Sequence, residues 1–292
     1  MKIKTIITLT ALFFYAAIQA AEPHVEQTIR DILENVRKLK TARPNAVPMA
    51  FWDCDGTLIS GDISTGHSVN GRQVYSGMIV KAAEGGFSSI LKDGAEAERF
   101  MTDKYPEIGN IGRWLSWPML VQLFHGADAA ALEAHCRRHA ESVLKPWFFA
   151  SSMDIMSALE KAGVENYVIS GSPDIFVKAA CTAIGSPRER IVGIRVRIAG
   201  GRVTTQIEYP LSMNEGKVEC IREIINARPN AVAVAAFGNS YWTDGPFMRY
   251  VAVNRLPGGS KGVALMINGG EPPEEYKGLF RCVEQSKTMH RH

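Results

Sequence analysis

The stretch FWDCDGTLI, residues 51–59, places two aspartates one residue apart directly after an apolar run. The preceding residues are those of a short buried strand, so Asp53 and Asp55 are expected at its carboxyl end. A buried carboxylate is costly without a partner, and two neighbouring carboxylates also repel each other. The stretch therefore predicts that a positively charged species binds at this strand end.

Composition narrows the class of protein. The chain has 292 residues, and 46% of them are hydrophobic, which suffices for one large domain or for a core with an insert. Its 33 basic and 30 acidic residues leave a net charge of +3. Nucleic-acid-binding proteins carry a strongly basic surface, so this balance predicts no nucleic-acid partner.

The first segment, MKIKTIITLTALFFYAAIQA, has the layout of a secretory signal peptide over residues 1–20. Two lysines precede an apolar run, and small residues surround the expected cleavage after Ala20. An uncleaved membrane anchor is the alternative, but the run is short and no basic stop-transfer cluster follows it. We expect an exported protein, periplasmic or secreted, without a stable membrane anchor after cleavage.

The remaining chain divides by its hydrophobic pattern. Residues 21–45 have apolar residues at helical spacing and predict an N-terminal helix packed on the core. Residues 46–63 and 149–292 alternate apolar strands with helices, which predicts an α/β core with a parallel sheet covered by helices on both faces. Residues 64–148 are mostly helical in pattern and predict an inserted helical domain.

Several local predictions fall within the second part of the core. Gly200 and Gly201 predict the turn of a β-hairpin. Ser172 is expected to be the N-cap of the helix that follows it. RYVAVNR, residues 249–255, is expected to be a strand, and GVALMI, residues 262–267, a short last helix.

Polar residues follow three of the predicted strands and the start of one helix. The carboxyl ends of parallel strands meet at one edge of a sheet, where ligands bind. The sequence therefore predicts one site from these residues. Its members are Asp53, Asp55, Ser170, Gly171, Lys217, Asn239 and Asp244.

This set of residues suits phosphoryl transfer. A phosphate monoester is a dianion that a bare pair of carboxylates repels, and Mg²⁺ resolves this because it binds carboxylates and phosphate together. Asp53 is expected to attack phosphorus, and Asp55 to protonate the leaving oxygen and later deprotonate water. Ser170 and the Gly171 N–H would hold phosphoryl oxygens, and Lys217 would neutralise their charge.

Four stretches resemble the motifs of the haloacid dehalogenase-like (HAD) hydrolase superfamily. They are DCDGT at residues 53–57, Ser170 after YVI, Lys217 in EGKV, and GNSYWTD at residues 238–244. The resemblance implies a Rossmann-like core, with residues 64–148 as the helical cap of the phosphoserine phosphatase-like branch. It also implies a Mg²⁺-dependent phosphatase. From the resemblance we also expect Thr57 to bind phosphate, together with Ser170, Gly171 and Lys217. Dehalogenases of the superfamily lack the second aspartate, so Asp55 favours phosphoester chemistry.

The fourth motif departs from the family pattern, which begins Gly-Asp where this chain has Gly238-Asn239. Asparagine still offers a neutral carbonyl oxygen to a metal ion. Asp244 stands at the spacing of the second acid of the family. The expected metal ligands are therefore Asp53, Asp55, Asn239 and Asp244. Because Asn239 is neutral where the family has an acid, the affinity of the site for a metal ion depends on this substitution.

The predicted function is an exported Mg²⁺-dependent phosphomonoesterase that hydrolyses a small phosphate ester through an aspartyl-phosphate. A phosphotransferase or phosphomutase of the same superfamily uses the same first motif and stays an alternative. A non-catalytic ligand-binding domain with a decayed site is the other alternative, and Asn239 is the feature that favours it.

Residues of the insert suggest further roles. His135 and His139 are one helical turn apart and are expected on a solvated helix face, with a metal pair as the alternative, while His67 could line the cap entrance. Four aromatic residues are expected in the core of the cap, with a cage for a cationic head group such as choline as the alternative. They are Tyr105, Trp114, Trp117 and Trp147. The stretch TDGPFM also has a faint resemblance to periplasmic phosphorylcholine phosphatases.

Overall fold

A seven-stranded sheet forms the centre of the molecule, in the order β6-β5-β4-β1-β7-β8-β9. The computed structural model describes residues 22–289, and the predicted signal peptide lies outside them. In chain order the strands are β1 Val47–Trp52, β2 Gly66–Val69, β3 Arg72–Ser76, β4 Glu165–Pro173, β5 Ile191–Ala199, β6 Arg202–Glu208, β7 Ala231–Gly238, β8 Val263–Ile267 and β9 Arg281–Val283.

Helices cover both faces of this sheet. In chain order the α-helices are α1 Pro23–Ala42, α2 Met78–Glu84, α3 Gly94–Arg99, α4 Tyr105–Ile111, α5 Arg113–Gln122, α6 Ala129–His139, α7 Ala150–Lys161, α8 Asp174–Ala183, α9 Glu215–Ala227 and α10 Gly245–Val253. Two π-helical turns, Phe100–Lys104 and Ala140–Leu144, extend α3 and α6. Between residues 22 and 289, none of the helices is both long enough and apolar enough to cross a lipid bilayer.

Strand β1 is the middle of the sheet and delivers the two aspartates. It pairs in parallel with β4 on one side and with β7 on the other. Five of its six residues are buried, because neighbouring strands and helices surround it. Neighbouring strands of the large sheet pair in parallel, except β5 and β6, which pair antiparallel. The predicted α/β fold with a mostly parallel sheet is confirmed.

Helix α1 packs on this core through the stripe that the sequence predicts. Its buried apolar residues are Val25, Ile32, Val36 and Leu39. The helix contacts α7 and the strand β7. An apolar stripe of this kind stabilises a surface helix through packing more than through helix propensity.

The segment between β1 and β4 contains a β-hairpin that the mostly helical pattern of residues 64–148 did not predict. Strands β2 and β3 pair antiparallel and turn at Asn70 and Gly71, whose φ values are +51° and +75°. Asn-Gly is the favoured pair for a two-residue hairpin turn, because both positions need positive φ. Helices α2 to α6 follow the hairpin, and α7 completes the segment before β4.

Two local predictions near the end of the core are wrong. The residues RYVAVNR begin inside helix α10, which starts at Gly245 with Pro246 in its first turn. The residues GVALMI form strand β8, which pairs in parallel with β7. Short apolar runs carry no period that separates a buried strand from a buried helix, so their neighbours in the fold decide. The predicted hairpin turn at Gly200 and Gly201 is confirmed.

Candidate active site

The carboxyl ends of β1, β4 and β7 border a cavity of about 550 Å³. The predicted site residues come together here, some in the cavity wall and some behind it. The wall includes Asp53, Asp55, Gly171, Lys217 and Asn239. Behind it lie Thr57, Ser170 and Asp244, which are fully buried and hydrogen-bonded to Asp53, Asp55 and Lys217 respectively.

Asp53 is held where β1 ends and its carboxylate faces the cavity. Its N–H donates to the carbonyl of Phe237, which continues the pairing of β1 with β7. One carboxylate oxygen lies 2.5 Å from Lys217 Nζ, and the other accepts a bond of 3.2 Å from the Thr57 hydroxyl. The side chain is 8% exposed, so it reaches the cavity while its partners stay buried. Thr57 is therefore a partner of Asp53 in this structure.

Lys217 bridges two aspartates from different parts of the chain. Its Nζ lies 2.7 Å from Asp244 Oδ1, and neither side chain is exposed. Asp244 Oδ2 accepts 3.0 Å bonds from the N–H groups of Asn239 and Ser240. Both carboxylate oxygens of Asp244 are thus occupied by protein donors, so this residue fixes the loop after β7. Its direct contact with a metal stays a prediction.

The Asp55 carboxylate points toward the segment after β4. Its Oδ1 accepts from the Ile63 N–H at 2.7 Å, and its Oδ2 accepts from the hydroxyls of Ser172 at 2.7 Å and Ser170 at 3.2 Å. The Ser64 hydroxyl donates in turn to the Ser172 oxygen at 2.9 Å. Asp55 therefore occupies one orientation, set by a buried chain of hydroxyl groups.

Ser172 does not cap the helix as predicted. The residue before α8 is Pro173, and no side chain caps that helix. The strand β4 continues to Pro173, so the Ser172 side chain turns to Asp55 instead. Sequence reasoning missed this site residue, although the spacing Ser170-Gly-Ser172 puts both hydroxyls on one side of a strand.

Acidic side chains outnumber basic ones around the buried ammonium. Burial and the charge of Asp244 raise the pKa of Asp53 to about 7, against the opposing charge of Lys217. Burial, Asp62 and Asp53 also raise the pKa of Asp55. Desolvation opposes protonation of Lys217, but its two carboxylate partners outweigh it and raise its pKa. One ammonium shared by two carboxylates, with two more acids beside the cavity, favours the binding of a further cation.

Asn239 lies against the loop that carries both aspartates. A Cβ atom at Gly56 would come within 2.0 Å of Asn239 Nδ2, and Gly56 has φ of +75°. Glycine is needed on both counts, because other residues avoid positive φ and would displace the amide. No group of three or more His, Cys, Asp or Glu side chains within residues 22–289 could hold a metal ion. A cation here would depend on Asp53, on oxygen atoms such as that of Asn239, and on water.

The outer wall of the cavity comes from the segment between β1 and β4. Tyr105 and Trp117 line it, and the Trp117 ring lies so close to Gly171 that a Cβ there would come within 2.4 Å. Trp114 is 65% exposed, so the prediction of a core position is wrong for it. Trp147 packs on His67 and Tyr75, both about 5.8 Å away between ring centroids.

The histidines of the insert support its packing. His139 is buried and its Nε2 lies 2.8 Å from the Ser76 carbonyl, and His135 Nε2 lies 2.9 Å from the Lys81 carbonyl. The expected solvated face is therefore wrong, because each ring is hydrogen-bonded to the backbone at or near α2. His67 is bonded to the Ser60 hydroxyl at 3.2 Å and is not among the residues of the cavity wall.

A family model described as haloacid dehalogenase-like hydrolase matches residues 50–249. The chain belongs to this family. The family predicted from the four motifs, and with it the hydrolase class, is confirmed. None of the curated proteins compared with the chain is similar to it in sequence.

Solved structures of low sequence identity share the HAD fold. A protein of unknown function from Bordetella pertussis Tohama I has a TM-score of 0.60 at 17% identity, covering 82% of this chain and 99% of that one. Cytosolic 5′-nucleotidase IIIB bound to cytidine has a TM-score of 0.54 at 15% identity, covering 87% and 86%. A HAD family hydrolase from Salmonella enterica serovar Typhi has a TM-score of 0.51 at 14% identity, covering 83% and 70%. Identities this low establish the shared fold alone.

Replacing Lys217 by methionine should destabilise the protein by about 3–5 kcal/mol at neutral pH. The side chain keeps its volume, but Asp53 and Asp244 lose their shared buried cation. Urea denaturation measures the free energy of unfolding, with the exposed Lys40→Met as the matched control. A loss below about 1 kcal/mol would show that the two carboxylates do not depend on the ammonium.

Proposed function

We propose that the protein is an exported, Mg²⁺-dependent phosphomonoesterase that uses Asp53 as nucleophile. The observation that carries the proposal is the pairing of Asp53 with buried Lys217 at the floor of a cavity, with Asp55 oriented beside it. The substrate is a small phosphate ester, in keeping with a cavity of about 550 Å³. Export is proposed from the sequence of residues 1–20.

The residues present fit a Mg²⁺ ion. The ion prefers oxygen ligands, takes one or two carboxylates, and keeps several water molecules. Asp53 supplies a carboxylate at the cavity wall, and the Asn239 amide lies over the adjoining loop. The excess of carboxylates over ammonium groups adds electrostatic attraction for a divalent cation. Bound there, Mg²⁺ would polarise the phosphoryl group and offset its charge.

In the first step an Asp53 oxygen forms a bond to phosphorus while the bond from phosphorus to the ester oxygen breaks. Asp55 in its protonated form gives a proton to the departing oxygen, and the alcohol leaves. Lys217, 2.5 Å from Asp53, offsets the negative charge that gathers beside it. The products of this step are the free alcohol and an acyl phosphate on Asp53.

In the second step Asp55 takes a proton from water as the water oxygen attacks phosphorus. The bond between phosphorus and Asp53 breaks, which releases inorganic phosphate and regenerates the carboxylate. The hydroxyls of Ser172 and Ser170 and the Ile63 N–H hold Asp55 in place for both proton transfers. Asp55 ends protonated again, so the cycle closes.

Asp53→Asn should lower phosphate release by at least about a thousandfold, because the amide is a poor nucleophile toward phosphorus. The measurement is hydrolysis of an aryl phosphate by the mature chain with Mg²⁺. Asp103→Asn, at an exposed position, is the matched control and should keep its activity. Full activity in Asp53→Asn would overturn the proposed mechanism.

The affinity for Mg²⁺ should fall as the pH drops below about 7. Burial and Asp244 raise the pKa of Asp53 to about 7, so a proton must leave before the carboxylate can bind the ion below this pH. The affinity should fall by up to about tenfold per pH unit below 7 and level off above it. Calorimetric titration across this range measures the change, and Asn239→Asp should bind the ion more tightly at every pH. A flat profile would contradict the assignment of Asp53 as a ligand.

Ser172→Ala should reduce hydrolysis of alkyl phosphates by about tenfold, since Asp55 loses its shortest side-chain donor and part of its orientation. An aryl phosphate with an acidic phenol should be affected less, because its leaving oxygen needs less help from a proton. Comparing kcat/KM for the two esters tests this, with Ser172→Thr expected to recover activity and exposed Ser68→Ala as control. Equal losses for both esters would assign Ser172 a purely structural role.

A further inference from the structure

The wall of the cavity contains a cation that the mechanism does not use. Arg113, the first residue of helix α5, lines the cavity. Its guanidinium carbon lies 4.6 Å from the ring centroid of Trp242 and 5.7 Å from that of Trp117. The two rings are 6.0 Å apart and meet edge to face at 84°. The guanidinium is therefore oriented by two aromatic rings from distant parts of the chain.

The three acids of the cavity wall are bonded to other groups. Asp53 pairs with Lys217, and the Asp55 carboxylate accepts from backbone and hydroxyl donors. Asp62 accepts from the N–H groups of Ser64 and Thr65. Within residues 22–289, Arg113 forms no ion pair and no hydrogen bond, so its N–H donors are available to a ligand.

The position of Arg113 argues against the predicted cage for a cationic head group such as choline. Trp117, one of the rings predicted for such a cage, already contacts the guanidinium of Arg113, as does Trp242. A quaternary ammonium group would meet a like charge at this wall, which costs binding energy. An anionic group would instead meet a planar fork of N–H donors, a geometry suited to carboxylate and phosphate.

We infer that Arg113 selects phosphomonoesters whose alcohol part carries a second anionic group, a carboxylate or another phosphate. The inference rests on the proposed function, since it concerns the other end of the same substrate. Arg113 binds the distal anion while Asp53 acts on the phosphoryl group. Esters of choline and ethanolamine are poor substrates on this account.

The test compares esters of similar size that differ in distal charge: phosphoglycolate, ethylene glycol monophosphate and phosphoethanolamine. The wild-type enzyme should show its highest kcat/KM with phosphoglycolate and its lowest with phosphoethanolamine. A hydrogen bond to a charged group corresponds to roughly a 10- to 100-fold change in affinity. Arg113→Gln should therefore lower the ratio of kcat/KM for phosphoglycolate over the glycol ester by about 10- to 100-fold, mainly through KM.

Two further variants keep the test decisive. Arg113→Lys keeps the charge without the planar fork, so its ratio should lie between those of the wild type and Arg113→Gln. Arg99→Gln, at an exposed position of helix α3 away from the cavity wall, should leave the ratio unchanged. Circular dichroism and thermal melting of each variant separate a change of selectivity from a failure to fold.

The outcomes separate this inference from the proposed function. A wild-type enzyme that hydrolyses all three esters but prefers phosphoethanolamine would overturn the inference and leave the phosphatase intact. An unchanged ratio in Arg113→Gln would do the same. A wild-type protein that releases no phosphate from these esters or from an aryl phosphate would overturn the proposed function, and the inference with it.

Discussion

The ammonium of Lys217, buried between the carboxylates of Asp53 and Asp244, is the interaction on which the rest of the site depends. It joins three segments that are far apart in the chain: the end of β1, the start of α9 and the start of α10. Removing a partner from such a group leaves a buried charge uncompensated, which protein interiors tolerate poorly. The carboxylates outnumber the ammonium, and this excess is one of the grounds for proposing a divalent cation at the site.

The two aspartates of the DCDGT stretch differ because their surroundings differ. Asp53 faces a fixed positive charge and Asp55 faces the neutral donors Ser172, Ser170 and the Ile63 N–H. In the proposed mechanism the carboxylate beside the ammonium attacks phosphorus, and the one held among hydroxyl groups exchanges the proton. Both aspartates lie beyond Trp52, the last residue of β1, where the chain turns away from the sheet, so their side chains meet different partners.

The insert after β1 supplies the part of the cavity that lies away from these aspartates. The Trp117 ring lies on Gly171, and Arg113 contacts both Trp117 and Trp242, so the wall touches the carboxyl ends of both β4 and β7. A substrate would contact the reacting groups on the core and the selecting group on the insert. This division lets the same core act on different esters when the wall changes, which is the general behaviour of sites on common folds.

Much of this protein follows from its sequence. Local hydrophobic periodicity can be read from the sequence alone. It predicts the strand before Asp53 and Asp55 and the amphipathic stripe of α1. The order of the four motifs sufficed for the family, because parallel strands bring their carboxyl ends together whatever lies between them. Only the tertiary structure decided that Ser172 bonds to Asp55 instead of capping a helix, that GVALMI is a strand, and that Arg113 contacts two tryptophans. These outcomes depend on contacts between segments far apart in the chain, and local spacing contains no information about which distant groups will meet.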